Sequence, residues 1–123
     1  LRNIEDVDSC IRNLRESNAD IVITVKPAQR NPYFNMVVLN ELGYAKLAIP
    51  PSGRVYRRQD APSVFDVTTV AYAAKPEFIL MASSIFDGKV KAVVVPPERA
   101  LDIDTELDFK IAEFLLNQSI ANR

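Results

Sequence analysis

Apolar positions along this chain change their period several times, and each change marks an element. Ile4, Val7, Ile11 and Leu14 recur at helical spacing, with Arg12, Arg15 and Glu16 elsewhere on the wheel. Asn3 is placed to cap that helix, and Glu5 and Asp6 sit in its first turn, where the dipole favours negative charge. The helix is expected to fade near Asn18. Ile21-Val22-Ile23-Thr24-Val25 follows, β-branched and apolar at consecutive positions, and Pro27 stops it. Such a run suits a strand covered on both faces, as in a parallel sheet.

The texture changes at Asn31-Pro32. Tyr33 to Leu39 and Tyr44 to Ile49 are strand-like runs, and Asn40-Glu41-Leu42-Gly43 between them reads as a hairpin turn. Residues 54–65 keep no clean period and read as loop. Asp66 to Ala73, rich in Val and Thr, predicts a second buried strand, and Pro76 opens a short helix through Met81. Val90 to Val95 predicts a third buried strand, ended by Pro96-Pro97. Thr105-Glu106-Leu107-Asp108 fits a capping box with aspartate in the fourth place. Leu107, Ile111, Phe114, Leu115 and Ile120 continue it as an amphipathic C-terminal helix.

The order α, β, hairpin, loop, β, α, β, α predicts an α/β fold with a mostly parallel sheet, flanking helices and the hairpin as an insertion. One partial domain covers 1–123, with about 31–65 as the inserted arm. Three strands make a small sheet for residues this apolar. A doubly wound fold also normally begins with a strand leading into a phosphate-binding loop. The three glycines, Gly43, Gly53 and Gly88, build neither a dinucleotide fingerprint nor a Walker loop. The pattern is that of the second half of an α/β domain, and the opening Leu1 fits either a removed tag or initiator or residues cut from something longer.

Composition narrows the chemistry. The 123 residues are 48% hydrophobic and 25% charged, ordinary globular values. Fifteen basic against sixteen acidic side chains give a net charge of -1. That balance lacks the basic footprint of a nucleic-acid binder or a polybasic membrane anchor. Apolar runs such as Ala92-Val93-Val94-Val95 are far too short for a bilayer span. With no histidine, Ser-His and Cys-His nucleophile pairs and histidine metal sites are excluded. Cys10 has no partner for an internal disulfide and no adjacent basic residue to activate it, so it reads as a buried spectator. The expectation is a soluble, cytoplasmic chain.

The densest candidate site is Asp102-Ile103-Asp104-Thr105-Glu106-Leu107-Asp108. In an extended segment Asp102 and Asp104 present two carboxylates together. Hard oxygen ligands beside a sheet's carboxyl edge suit Mg²⁺ that keeps some waters and takes substrate phosphate. The plainer alternative has Asp104 charging the helix start and Asp102 solvated, a common arrangement at helix N-termini. An EF-hand loop is excluded, because Leu107 stands where glycine is needed. Arg54, Arg57 and Arg58 put guanidinium groups on a loop, suited to carboxylate or phosphate or simply solvated. Tyr72 and Phe86 are placed either to line a pocket or to fill the core.

Arg58-Gln59-Asp60-Ala61-Pro62, Tyr72, Phe86-Asp87-Gly88-Lys89 and Leu101 to Phe109 together carry a resemblance. The chain resembles the C-terminal half of the acylneuraminate cytidylyltransferases (CMP-sialic acid synthetases), along essentially its whole length. The resemblance implies the second half of a Rossmann-like nucleotidyltransferase fold that couples a nonulosonic acid to CTP and releases pyrophosphate. It implies Asp102 and Asp104 as catalytic, Mg²⁺-binding carboxylates, with Arg58, Tyr72 and Phe86 contacting the sugar acid. The hairpin becomes a dimerisation arm crossing to a second copy. Two departures stand out: Asp66-Val67-Thr68-Thr69 occupies a stretch that is often Arg-Pro-Asn-Gly, and Ile85 replaces a frequent second phenylalanine. An anionic Asp66 alters what that wall binds. Without a phosphate loop in these residues, the alternative is a non-catalytic module that dimerises or binds a sugar acid.

Overall fold

A computed structural model describes residues 1–50 and 58–123. It divides into two units, Leu1–Lys26 with Asp66–Arg123, and Pro27–Phe65.

The first unit is built on helix α1 (Ile4–Glu16), strands β1 (Ile21–Pro27), β4 (Phe65–Ala74) and β5 (Val90–Val94), and helices α2 (Pro76–Met81) and α3 (Glu106–Ala121). Asn3 caps α1 as its sequence position predicts, its side chain accepting the Glu5 amide at 3.0 Å. Pro76 opens α2 from N1, where its missing N–H costs nothing. Thr105 and Asp108 close a reciprocal capping box at the start of α3.

β1 is the central strand of a three-stranded sheet in the order β4-β1-β5. It runs parallel to β5, with Ile21 opposite Val90 and Val25 opposite Val94. β4 runs the other way. The Lys75 amide donates to the Asp20 carbonyl, whereas Thr24, further along β1, meets Ala71 and Thr68, earlier on β4. The sheet is therefore mixed rather than mostly parallel. The chain leaves β1 at its carboxyl end and re-enters β4 from that end, so no crossover helix returns it to the start.

Burial follows position in the sheet. Ile21 to Val25 are all buried, as the unbroken apolar run predicts. Val22 packs with Cys10 and Ala19 beneath α1, joined by Leu14, Ala71, Ala73 and Val93. Ile21, Ile23 and Val25 form the opposite face with Ala74, Phe78, Ile85 and Val90. β4 and β5 were also expected to be buried. Instead only Thr68 is buried on β4, and β5 is part-buried or exposed throughout. Each is an edge strand with one open flank, which an apolar composition alone does not reveal. Thr24 and Thr68 join β1 to β4 inside the sheet, their hydroxyls 2.6 Å apart, and Thr24 Oγ1 also donates to the Ala71 carbonyl at 3.1 Å.

α3 departs furthest from expectation. The pattern predicted one apolar face on the core, yet no residue of α3 is buried. Leu107, Phe109, Ile111, Phe114, Leu116 and Ile120 are exposed, and only Asp108, Ala112 and Leu115 are part-covered. Its apolar residues fall on several sides of the wheel, so one contact face covers few of them.

The second unit carries the hairpin. β2 (Val37–Leu39) and β3 (Ala45–Leu47) pair antiparallel, Val38 opposite Lys46. The strands are shorter than the sequence runs, but the turn lies where predicted. Asn40 Oδ1 accepts the amides of Leu42 and Tyr44, and Gly43 adopts φ +85, a left-handed conformation open to glycine. Arg58–Asp60 form a single 3₁₀ turn. Arg54 and Arg57 lie outside the described residues, as do the side-chain atoms of Arg58.

Candidate functional site

Beyond β5, a 3₁₀ turn (Pro97–Arg99) carries the chain past the carboxyl edge of the parallel pair to Leu101-Asp102-Ile103-Asp104. Two arginines fasten this segment to α1 from opposite directions. Arg99 reaches back to α1, its Nε and Nη2 donating to the two carboxylate oxygens of Asp6 at 2.8 and 2.9 Å. Asp6 is 5% exposed, so this bidentate pair satisfies a carboxylate that would otherwise be buried alone. Arg2, just before α1, reaches forward. Its Nη1 donates to the carbonyls of Arg99 at 2.6 Å and Leu101 at 3.3 Å, and its Nη2 to Asp102 Oδ1 at 3.1 Å.

Asp102 Oδ1 also accepts the Thr69 hydroxyl of β4 at 2.6 Å. Thr69 and then Arg2 hold the Asp102 carboxyl below the usual carboxylate range, with Lys26 adding to the pull, against a desolvation that pushes the other way. Both bonds fall on Oδ1. Oδ2 takes no partner among the described residues, and the side chain keeps 44% of its surface. Asp104 is exposed, and its amide donates to Asp108 Oδ2 at 3.2 Å. Asp108 is committed to the helix start, where the Thr105 hydroxyl and amide and the Asp104 amide hold its carboxyl low. A hollow of about 330 Å³ lies beside Asp102, bordered by Leu1, Arg2, Leu101, Ile103 and Ala112.

The donor set fits a hard divalent cation in a limited sense. Asp102 and Asp104 are both exposed, and the Asp102 carboxyl is held below its ordinary range. No group of three or more His, Cys, Asp or Glu side chains that could hold a metal forms among the described residues. One or two carboxylates, with waters and phosphate oxygens completing the shell, is a usual protein share for Mg²⁺.

The other predicted site residues are dispersed. Tyr72 is 49% exposed on β4. Its neighbours Ala71 and Ala73 pack on the α1 face, so its side chain points to the opposite face. Phe86 is 63% exposed and precedes β5, at the amino edge of the parallel pair. The five residues of β5 separate it from the Asp102 segment, roughly 17 Å along the strand. Arg58 belongs to the other unit.

At that amino edge lies a cleft of about 450 Å³ lined by Asp20, Lys75, Phe78, Met81, Asp87 and Gly88, among others. Its construction requires Gly88, because a Cβ there would sit 2.6 Å from Asp20 Oδ2 and 2.7 Å from the Phe78 ring. Asp20 and Asp87 are occupied structurally: Asp20 accepts the Lys89 amide, and Asp87 accepts the amides of Ser83 and Ser84. Cys10 is buried, and burial followed by the charge of Asp6 pushes its thiol up, as befits an unreactive core residue.

The sequence pattern singled out Asp102 as a candidate but neither of the side chains that bond it. Arg2 lies 100 residues away and Thr69 lies 33 residues away, and no short motif spans such distances.

No family model matches the chain. It is 33% identical over 118 residues to post-translational flagellin modification protein B of Campylobacter coli, covering 96% of this chain and 49% of that protein. It is 40% identical over 96 residues to CMP-N,N'-diacetyllegionaminic acid synthase of Campylobacter jejuni, covering 78% of this chain and 40% of that enzyme. The chain thus spans about half the length of the curated relatives it matches. No described helix is long and apolar enough to cross a membrane.

Proposed function

We propose that these residues belong to a CMP-nonulosonic acid synthetase, a cytidylyltransferase that joins CTP to a sialic-type acid and releases pyrophosphate. The observation that carries this reading is the 40% identity over 96 residues to a CMP-diacetyllegionaminic acid synthase. The exposed carboxylates beyond the parallel strands add physical support, since ligands of open α/β sheets gather outside the carboxyl ends of strands.

In this reading Asp102, through Oδ2, and Asp104 hold Mg²⁺, which when bound neutralises charge on the phosphate oxygens. Thr69 and Arg2 keep Asp102 ionised. Tyr72, half-exposed, remains available to the sugar acid, and Arg58 supplies a guanidinium for its carboxylate. Phe86 stands apart from Asp102, so its place in a common sugar pocket has the least geometric support. The hairpin exposes Val37, Val38, Leu39, Leu42 and Tyr44. Apolar residues on so short a hairpin want cover, and the proposed cover is a second copy of the protein, giving a homodimer. CTP supply places the reaction in the cytoplasm.

The test is turnover by the full protein that carries these residues, with CTP, Mg²⁺ and N,N'-diacetyllegionaminic acid or N-acetylneuraminic acid. Pyrophosphate release together with a CMP-sugar in the mass spectrum is expected, and Asp104→Ala should remove it while leaving the melting temperature nearly unchanged. Absence of release with every nonulosonic acid offered would overturn the reading in favour of a non-catalytic module.

A further inference from the structure

We infer that Thr69 is a positioning residue for the cation site, acting through Asp102. The inference rests on the metal role proposed for Asp102 and adds a residue to which neither the sequence pattern nor the chemistry of paired carboxylates points. The Thr69 hydroxyl donates to Asp102 Oδ1 at 2.6 Å, the shortest of the contacts on that carboxylate. A carboxylate on an exposed segment otherwise rotates among several orientations. A short bond to one oxygen from a strand restricts that rotation, and Oδ2 takes no partner among the described residues.

The rest of the surroundings supports that assignment. Thr69 sits on β4, whose neighbour Thr68 is buried against Thr24 of the central strand, so the hydroxyl is carried by an anchored backbone. Arg2 shares Oδ1 but is itself tied to two backbone carbonyls, so it holds the segment in place. A single neutral donor and a fixed cation on the same oxygen leave the other one for a ligand. Partners of this kind typically change metal affinity by about 10- to 100-fold when removed. Thr69 is exposed, which places the expected effect at the lower end.

The experiment measures Mn²⁺ alone, by the loss of its free electron paramagnetic resonance signal, on the full protein and its variants. Thr69→Val keeps the shape and strand propensity and is expected to weaken Mn²⁺ binding about tenfold, with little change in melting temperature. Thr69→Ser restores the hydroxyl and should bind within about twofold of the parent. Thr69→Ala serves if the valine variant does not fold. Asp102→Asn separates the two claims. If it leaves Mn²⁺ binding unchanged, the metal role of Asp102 is wrong and this inference falls with it. If it removes binding while Thr69→Val binds as tightly as the parent, or tighter, Asp102 keeps its role and Thr69 loses its own.

Discussion

Helices α1 and α3 begin alike, each with a side-chain cap and acidic residues in the first turn, and end in opposite circumstances. α1 lies over β1, buries Cys10 and even buries the charged Asp6, which Arg99 neutralises. α3 carries more large apolar residues and buries none of them. Hydrophobicity along a helix therefore says that a surface wants cover, while the presence of a sheet face determines whether it receives any. The comparison also separates what a short-range signal decides from what it leaves open. Caps decide where both helices start.

The strongest way to break the contrast is to remove the ion pair beneath α1. Arg99→Ala leaves Asp6 buried without a counter-charge and should give the largest loss of stability among the variants considered, read from the urea midpoint. A loss below about 0.5 kcal/mol would mean that water reaches Asp6 and that α1 is less firmly seated than its contacts indicate.

Next in size is a matched pair of truncations. Val22→Ala, at a fully buried position, should cost about 2 kcal/mol. Phe114→Ser on α3 should stay within about 0.5 kcal/mol in the 123-residue chain. Equal losses would show that α3 is covered in solution and would erase the distinction between the helices.

The smallest effect concerns acid. Asp102 has its carboxyl lowered in the folded state, so its contribution to stability is complete above the ordinary carboxylate range and is lost as pH falls through the lowered value. Asp102→Asn should therefore lose less stability than the parent between pH 5 and pH 3 in parallel urea titrations. Because the side chain is well exposed, the difference is expected to be slight. A steeper loss in the variant would reverse the assigned sign.

Much of this architecture was legible in the residues. Asn3, Pro27, Pro76 and the Thr105–Asp108 box act within a few positions, and each punctuates the chain where local chemistry predicts. The hairpin turn was equally local. Burial of β4 and β5 was misjudged because Val and Thr suit an edge strand as well as a central one, and only neighbours in space distinguish them. The direction of β4 was misjudged for a related reason, since strand polarity depends on where an intervening excursion returns the chain. At the candidate site, adjacent acids drew notice to Asp102 and Asp104, but Thr69 and Arg2 carry no mark of their partnership in sequence.

The crossed arginines have a kinetic consequence. Arg2 and Arg99 join the opening residues of the chain to a turn nearly a hundred positions later, so the loop they close is long and entropically slow to form. The helix and hairpin can form from nearby residues, but the Asp102 segment must wait until synthesis has delivered both ends of that loop. The acidic corner is thus expected among the last parts of the molecule to take shape, so a species trapped before that stage has its helix and hairpin but lacks the Arg2–Asp102 contact.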